Sequence, residues 1–97
     1  MPKASVAFQV LPRVNDQAKM IKIIDIVIGI VQKSGVSYEV GPMETTMEGD
    51  LDRLLKIVQK AQYACVKAGA ASVFTNVKIL YCPKGVMTIE EKVTKHR

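Results

Sequence analysis

Residues 41–50, Gly-Pro-Met-Glu-Thr-Thr-Met-Glu-Gly-Asp, compress a turn, a short polar strand and a helix start into ten positions. Gly41-Pro42 is strong turn punctuation, and the Thr45-Thr46-Met47 run has the β-branched character of a strand. Gly49 lets the chain bend, and Asp50 offers a side-chain oxygen to the free N–H groups of a helix beginning at Leu51. Glu44, Thr45, Thr46 and Glu48 therefore stand on a strand between two sharp changes of direction. Polar side chains held in this way are candidates for a binding site. The alternative is an edge strand kept polar so that it does not pair with other chains.

Upstream of this stretch, Val36 to Val40 alternates, with Val36, Tyr38 and Val40 on one side and Ser37 and Glu39 on the other, so the two strands form a β-hairpin. Before it, Asn15 or Asp16 caps a helix running to about Ser34, with Met20, Ile23, Ile24, Val27, Ile30 and Val31 at helical spacing. Ile21, Ile26 and Ile28 broaden that stripe beyond what one sheet face needs. Gly35 suits the left-handed residue that ends a helix. Ile23 to Val31 is strongly apolar, but it is too short to span a bilayer and is interrupted by Asp25, so it reads as a buried helix. The first strand covers Ala4 to Leu11: Val6, Phe8 and Val10 face a core, Ser5, Ala7 and Gln9 face away, and Pro12 ends it.

Downstream, Leu54, Leu55, Val58, Ala61, Cys65 and Ala68 mark a second helix from Leu51 that closes at Gly69. Ser72 to Tyr81 is a fourth strand, in which Val73, Thr75, Val77 and Ile79 alternate with Phe74, Asn76, Lys78 and Leu80. Pro83-Lys84-Gly85 turns the chain, and Thr88-Ile89-Glu90-Glu91 matches a capping box for a short last helix through about Lys95. The order βαββαβ predicts a single α+β domain over residues 1–97. Its expected form is a ferredoxin-like sandwich: a four-stranded antiparallel sheet, two helices on one face and a short C-terminal helix. The other face is left uncovered, and Gln9, Asn76 and Lys78 stand on it.

At 97 residues the chain can bury one modest core, built mainly from Ile, Val, Leu, Met and Ala, and oligomerisation is expected to cover leftover apolar surface. The net charge of +5 invites a nucleic-acid role. However, Lys and Arg are spread along the sequence, and the clearest concentration, Lys92, Lys95, His96 and Arg97, holds no aromatic residue for base stacking. No nucleic-acid or membrane partner is expected. Cys65 and Cys82 form no metal or disulfide pattern; with no signal-peptide pattern in the sequence, reduced thiols in the cytoplasm are expected. His96, the one histidine, lies at the fraying end. No nucleophile–base set, metal cluster or phosphate-binding glycine loop is present, so neither a metal nor a catalytic residue is assigned. Glu44 and Glu48 would share a strand face about 13 Å apart, too far to act as an acid–base pair.

The strand Ala7 to Pro12 (AFQVLP), the segment GPMETTMEGD, the strand Asn76 to Ile79 (NVKI) and the ending Met87 to Val93 (MTIEEKV) together resemble the small thiamine-binding protein family, formerly a family of unknown function. The resemblance covers essentially the whole chain in order. It implies a ferredoxin-like subunit assembled as a homotetramer, a dimer of dimers, with no assigned reaction and no cofactor, and a pyrimidine-containing ligand near the sheet. The family commonly has Gly in the place of Glu44, so this chain carries an extra carboxylate there.

Thiamine joins an aminopyrimidine, with donor and acceptor edges, to a cationic thiazolium. The sequence supplies groups for both halves. Glu48 can accept from the exocyclic amine, Thr45 or Thr46 can supply hydroxyls, and Gln9 and Asn76 can each donate and accept. Met43 and Met47 can offer polarizable contact or serve ordinary packing. Lys78 would be repelled by a thiazolium, and pairs with Glu48 or Glu44, reaches a phosphate, or is solvated. Two other roles are open. One is an RNA-binding sheet, which has only Phe74 to stack with because Phe8 faces the core. The other is a purely structural module whose open face is consumed by subunit pairing.

Overall fold

In the computed structural model, which describes residues 1–94, two aspartates set where the long helices begin. Asp16 Oδ1 accepts from the Lys19 N–H at 2.8 Å, and Asp50 Oδ2 accepts from the Arg53 N–H at 3.3 Å. Both residues are extended, so each side chain reaches an otherwise orphaned donor of the first turn. Helix α1 spans Gln17–Lys33 and helix α2 spans Leu51–Lys67. Gly69, at φ +110°, ends α2 with the paired bonds Ala70 N–H to Cys65 O and Gly69 N–H to Val66 O. That pairing satisfies two orphaned carbonyls and needs a residue without a Cβ.

The strands are β1 (Ala4–Pro12), β2 (Ser37–Val40), β3 (Thr45–Gly49) and β4 (Val73–Tyr81). They form one four-stranded sheet in the order β2-β3-β1-β4, with every neighbour antiparallel. This is the ferredoxin-like βαββαβ arrangement that the order of elements predicts. β1 is central. Its even residues Ala4, Val6, Phe8 and Val10 are buried under α1 and α2, packed with Ile23, Val27, Val31, Met47, Leu54, Ala61 and Cys65. The period of two in the strand and 3.6 in the helices thus meet in one apolar layer.

A third helix, α3, spans Ile89–Thr94. Its capping box forms as the sequence predicts: the Glu91 N–H donates to Thr88 Oγ1 and the Thr88 N–H donates to Glu91 Oε1, each at 3.1 Å. Lys95, His96 and Arg97, including the expected end of this helix and most of the basic tail, lie outside the described residues.

Two expectations need correction. Glu44 precedes β3, sitting in the hairpin loop, because Gly41 N–H donates to Glu44 O at 2.9 Å and closes the turn there. The second face of the sheet is not wholly uncovered either. α3 lies against β2 and β3, its half-buried Ile89 and Val93 finding cover that a free helix would lack, and Ser5 is buried as a result.

Candidate functional site

The pleat sorts the proposed site residues onto two faces. In the β1–β3 register Thr46 stands opposite Ala7 and Glu48 opposite Ser5, while Thr45 stands opposite the core residue Phe8. Successive side chains point to opposite sides of a strand. Thr46 and Glu48 therefore share the face away from the long helices, and Thr45 belongs to the helix side. In β4, Asn76 is opposite Gln9 and Lys78 is opposite Ala7, which puts both on the same face as Thr46. Phe8 is only 2 % exposed, leaving Phe74 as the one phenylalanine on that face.

The shared face then divides along its length. At one end Asn76 Nδ2 donates to Gln9 Oε1 at 3.2 Å, and Lys78 Nζ pairs with Glu44 Oε2 at 2.8 Å. At the other end Glu48 Oε2 accepts the Ile89 N–H at 2.7 Å, and Lys92 Nζ lies 3.5 Å from Ser5 Oγ. Four residues of strand, about 13 Å, separate the Gln9–Asn76 pair from Ser5 and Glu48, with Lys78 opposite Ala7 between them. Of the two partners foreseen for Lys78, Glu44 is the one it takes. Glu48 instead holds α3 in place, because its strand position aims it at the first free N–H of that helix.

Between the two ends, Ser5, Ala7, Thr46, Lys78, Leu80 and Lys92 line a shallow cavity of about 270 Å³. A larger cleft, about 390 Å³, opens on the helix side between α1 and the β2–β3 loop. Phe8, Val10, Ile24, Val27 and Ile28 give it an apolar wall, and residues 40–45 close the opposite side. Thr45 brings a hydroxyl to it, Gln9 and Glu44 stand at its edge, and Met43 is 74 % exposed beside it. Gly41 is required in this wall: a Cβ there would come within 2.9 Å of the Glu44 carbonyl oxygen. Thus Gly41 to Thr45 borders the cleft, while Gln9, Glu44, Asn76 and Lys78 gather where the cleft meets the sheet's other face.

Sequence patterning alone does not find this cleft, because its wall is assembled from three elements. One signal did point to it. Ile28, beyond the stripe that a sheet face needs, lines the cavity. Ser5 and Lys92, which flank the smaller cavity, were also missed, since only the position of α3 brings them together.

Cys65 is buried in the core, which pushes its thiol pKa up by desolvation, and Cys82 is partly exposed at the end of β4. Among the described residues no group of three or more His, Cys, Asp or Glu side chains is placed to hold a metal ion. No helix among them is long and apolar enough to cross a membrane.

A ferredoxin-like α+β subunit with a small-molecule-sized apolar cleft, rimmed by amide, hydroxyl and carboxylate groups, has the form of a ligand-binding domain. The chain belongs to the thiamine-binding protein family, whose profile matches residues 6–97. It is 47 % identical over 97 residues to the UPF0045 protein of Clostridium perfringens, covering the whole of both chains. Among solved structures it is similar to a DUF77 domain of unknown function from Bacillus cereus, with a TM-score of 0.85 and 49 % identity, covering 97 % of this chain and 89 % of that one. It is also similar to a Thermotoga maritima protein named for thiamine biosynthesis or salvage, with a TM-score of 0.86 and 33 % identity, covering 99 % of this chain and 100 % of that one.

Proposed function

We propose that this protein binds thiamine or its hydroxymethylpyrimidine moiety without transforming it, as a carrier or buffer in cytoplasmic salvage. The observation that carries this is the cleft formed by Gly41 to Thr45 against α1, in which apolar walls meet a few fixed polar groups. A flat aminopyrimidine is matched by such a slot. Val10 and Ile28 offer contact to one ring face and Met43 to the other. The Thr45 hydroxyl and the Gln9 amide serve the donor and acceptor edges, since each can both give and take a hydrogen bond. Glu44 keeps lone pairs beyond the one that Lys78 uses, and its carboxylate favours a thiazolium cation nearby. Asn76, Thr46 and Lys78 border the same end of the sheet, where Asn76 fixes the Gln9 amide. Glu48 contributes from the far end by anchoring α3.

Membership of the family and the naming of the Thermotoga maritima relative for thiamine salvage support this reading. The working unit is a homo-oligomer. β4 is an edge strand with exposed apolar residues on both faces, Phe74 and Leu80 flanking Asn76 and Lys78 on one and Val77 and Ile79 on the other. A bare, long, apolar edge invites pairing with a copy of itself. β4 against β4 extends the sheet within a dimer, and the second face, with Phe74 and Leu80, packs one dimer on another.

Calorimetric titration of thiamine and of hydroxymethylpyrimidine tests this function, using the wild type beside folded Thr45→Val and Glu44→Gln variants. Saturable binding is expected, weakened about 5- to 30-fold in each variant, the loss of one hydrogen bond or one charge contact. Absence of heat with both ligands, together with an unchanged melting temperature at high ligand concentration, overturns the proposal.

A further inference from the structure

We propose that the outward seam between α1 and α2 is a docking site for an acidic amphipathic helix of a partner protein. The cationic residues that look scattered in sequence are gathered by the fold. α1 and α2 together carry six lysines and Arg53, against two carboxylates, Asp25 and Asp52. That balance of +5 equals the formal net charge of the whole chain. With the N-cap aspartates Asp16 and Asp50 included the balance is still +3, so most of the positive charge of this protein lies on its helix layer.

The helices run antiparallel. Arg53, at the start of α2, donates to the Ser34 carbonyl at the end of α1, and Lys19, in the first turn of α1, lies against Gly69 beyond α2. Two cavities of about 440 and 370 Å³ follow one another along the seam. Their floor is apolar, from Ile26, Ile30, Ile57 and Ala64, and lysines of both helices, Lys19, Lys22, Lys33, Lys60 and Lys67, stand around it and outnumber the one carboxylate in the lining, Asp16. Tyr63 stands beside it, 67 % exposed. Ile26, one of the residues in excess of the stripe that the sheet needs, is accounted for here.

The chemistry of the seam selects its occupant. A recessed apolar floor needs an apolar stripe, and a cationic rim needs carboxylates on either side of that stripe. A helix supplies both, and one lying along two 17-residue helices has about 25 Å of contact, nearly five turns. A nucleic-acid backbone would neutralise the lysines but leave the floor unfilled, with Tyr63 the sole aromatic beside it among the described residues. A bilayer surface is reached by apolar side chains that protrude beyond the charges, the reverse of the order here. The seam is on the opposite flank of α1 from the cleft, so the two sites are independent.

The probe is a fluorescein-labelled 16-residue helical peptide with Leu on one stripe and Glu on both flanks, titrated by anisotropy into the full-length protein. A peptide of the same composition in scrambled order is the control. Binding is expected in the micromolar range, at least about 10-fold weaker for the scrambled peptide and for a Lys33→Glu/Lys60→Glu variant, and weakened by added salt. Ile26→Glu, which charges the floor, is expected to abolish it while leaving thiamine binding unchanged. Equal binding of the scrambled peptide, unchanged binding by either variant, or no binding at millimolar protein overturns the proposal. So does tighter lysine-dependent binding of single-stranded RNA or of phosphatidylserine vesicles than of the peptide.

Discussion

Glu48 in β3 accepts the backbone N–H of Ile89, 41 residues further along, at 2.7 Å. This charge-assisted bond caps α3 and fixes it across β2 and β3. A Glu48→Ala variant should release α3, lowering stability by about 1–2 kcal/mol and removing hydrogen-exchange protection at the Ile89 amide. Glu48→Gln retains a carbonyl acceptor and should keep most of both. Equal protection in wild type and the alanine variant would show that α3 is held by its apolar residues alone.

Acid should loosen the same helix by a second route. The Thr88 backbone and hydroxyl both donate to Glu91, which holds its carboxyl below the ordinary glutamate range. A carboxyl with a lowered folded-state pKa contributes stability above its unfolded value, and that contribution is lost as pH falls through the folded one. Amide signals of Thr88 to Lys92 should therefore shift together as pH drops below the usual carboxylate range. In Glu91→Gln that titration should be absent.

The exposed β4 edge makes a hydrodynamic prediction. The wild type is expected to elute as an oligomer, and an Ile79→Lys/Leu80→Lys variant, which places a charge on each face of the strand, is expected to elute as a monomer. Light scattering at matched concentration gives the mass directly. A variant that keeps the wild-type mass would show that subunits meet elsewhere.

Leu54 is fully buried where α2 crosses the sheet. Truncation to alanine should cost roughly 3 kcal/mol, the transfer and cavity terms together. For a domain of this size that is a large share of the total. Chemical denaturation should show the midpoint falling with little change in slope.

The two thiols should separate by reactivity. Iodoacetamide at neutral pH should modify Cys82, which is partly exposed, and spare Cys65, which is buried with a raised pKa. Cys65 should become reactive only in denaturant, and its labelling rate would then report global opening of the core.

The fold was legible because its signals are local. Alternation in Val6, Phe8 and Val10, the caps at Asp16 and Asp50, the left-handed Gly35 and Gly69, and the Thr88–Glu91 box each act within a few residues and all agree. The candidate site was legible only as a list of residues. Gln9, Asn76 and Lys78 fall on one face because the pleat places them there, and Thr45 leaves that face for the same reason. What Glu48 does depends on the docking of a helix far along the chain, which no local pattern encodes. The charged helix layer was hidden differently: lysines at helical spacing look evenly scattered until the winding of α1 and α2 brings them to one side.

β1 pairs with both β3 and β4 and separates its side chains by parity, with Phe8 and Val10 turned to the core and the cleft wall and Ala7 and Gln9 to the other face of the sheet. Substitution at residues 7 and 9 alters the face away from the long helices while leaving the core as it is, whereas deletion of a single residue from the strand exchanges the two sets and forfeits both.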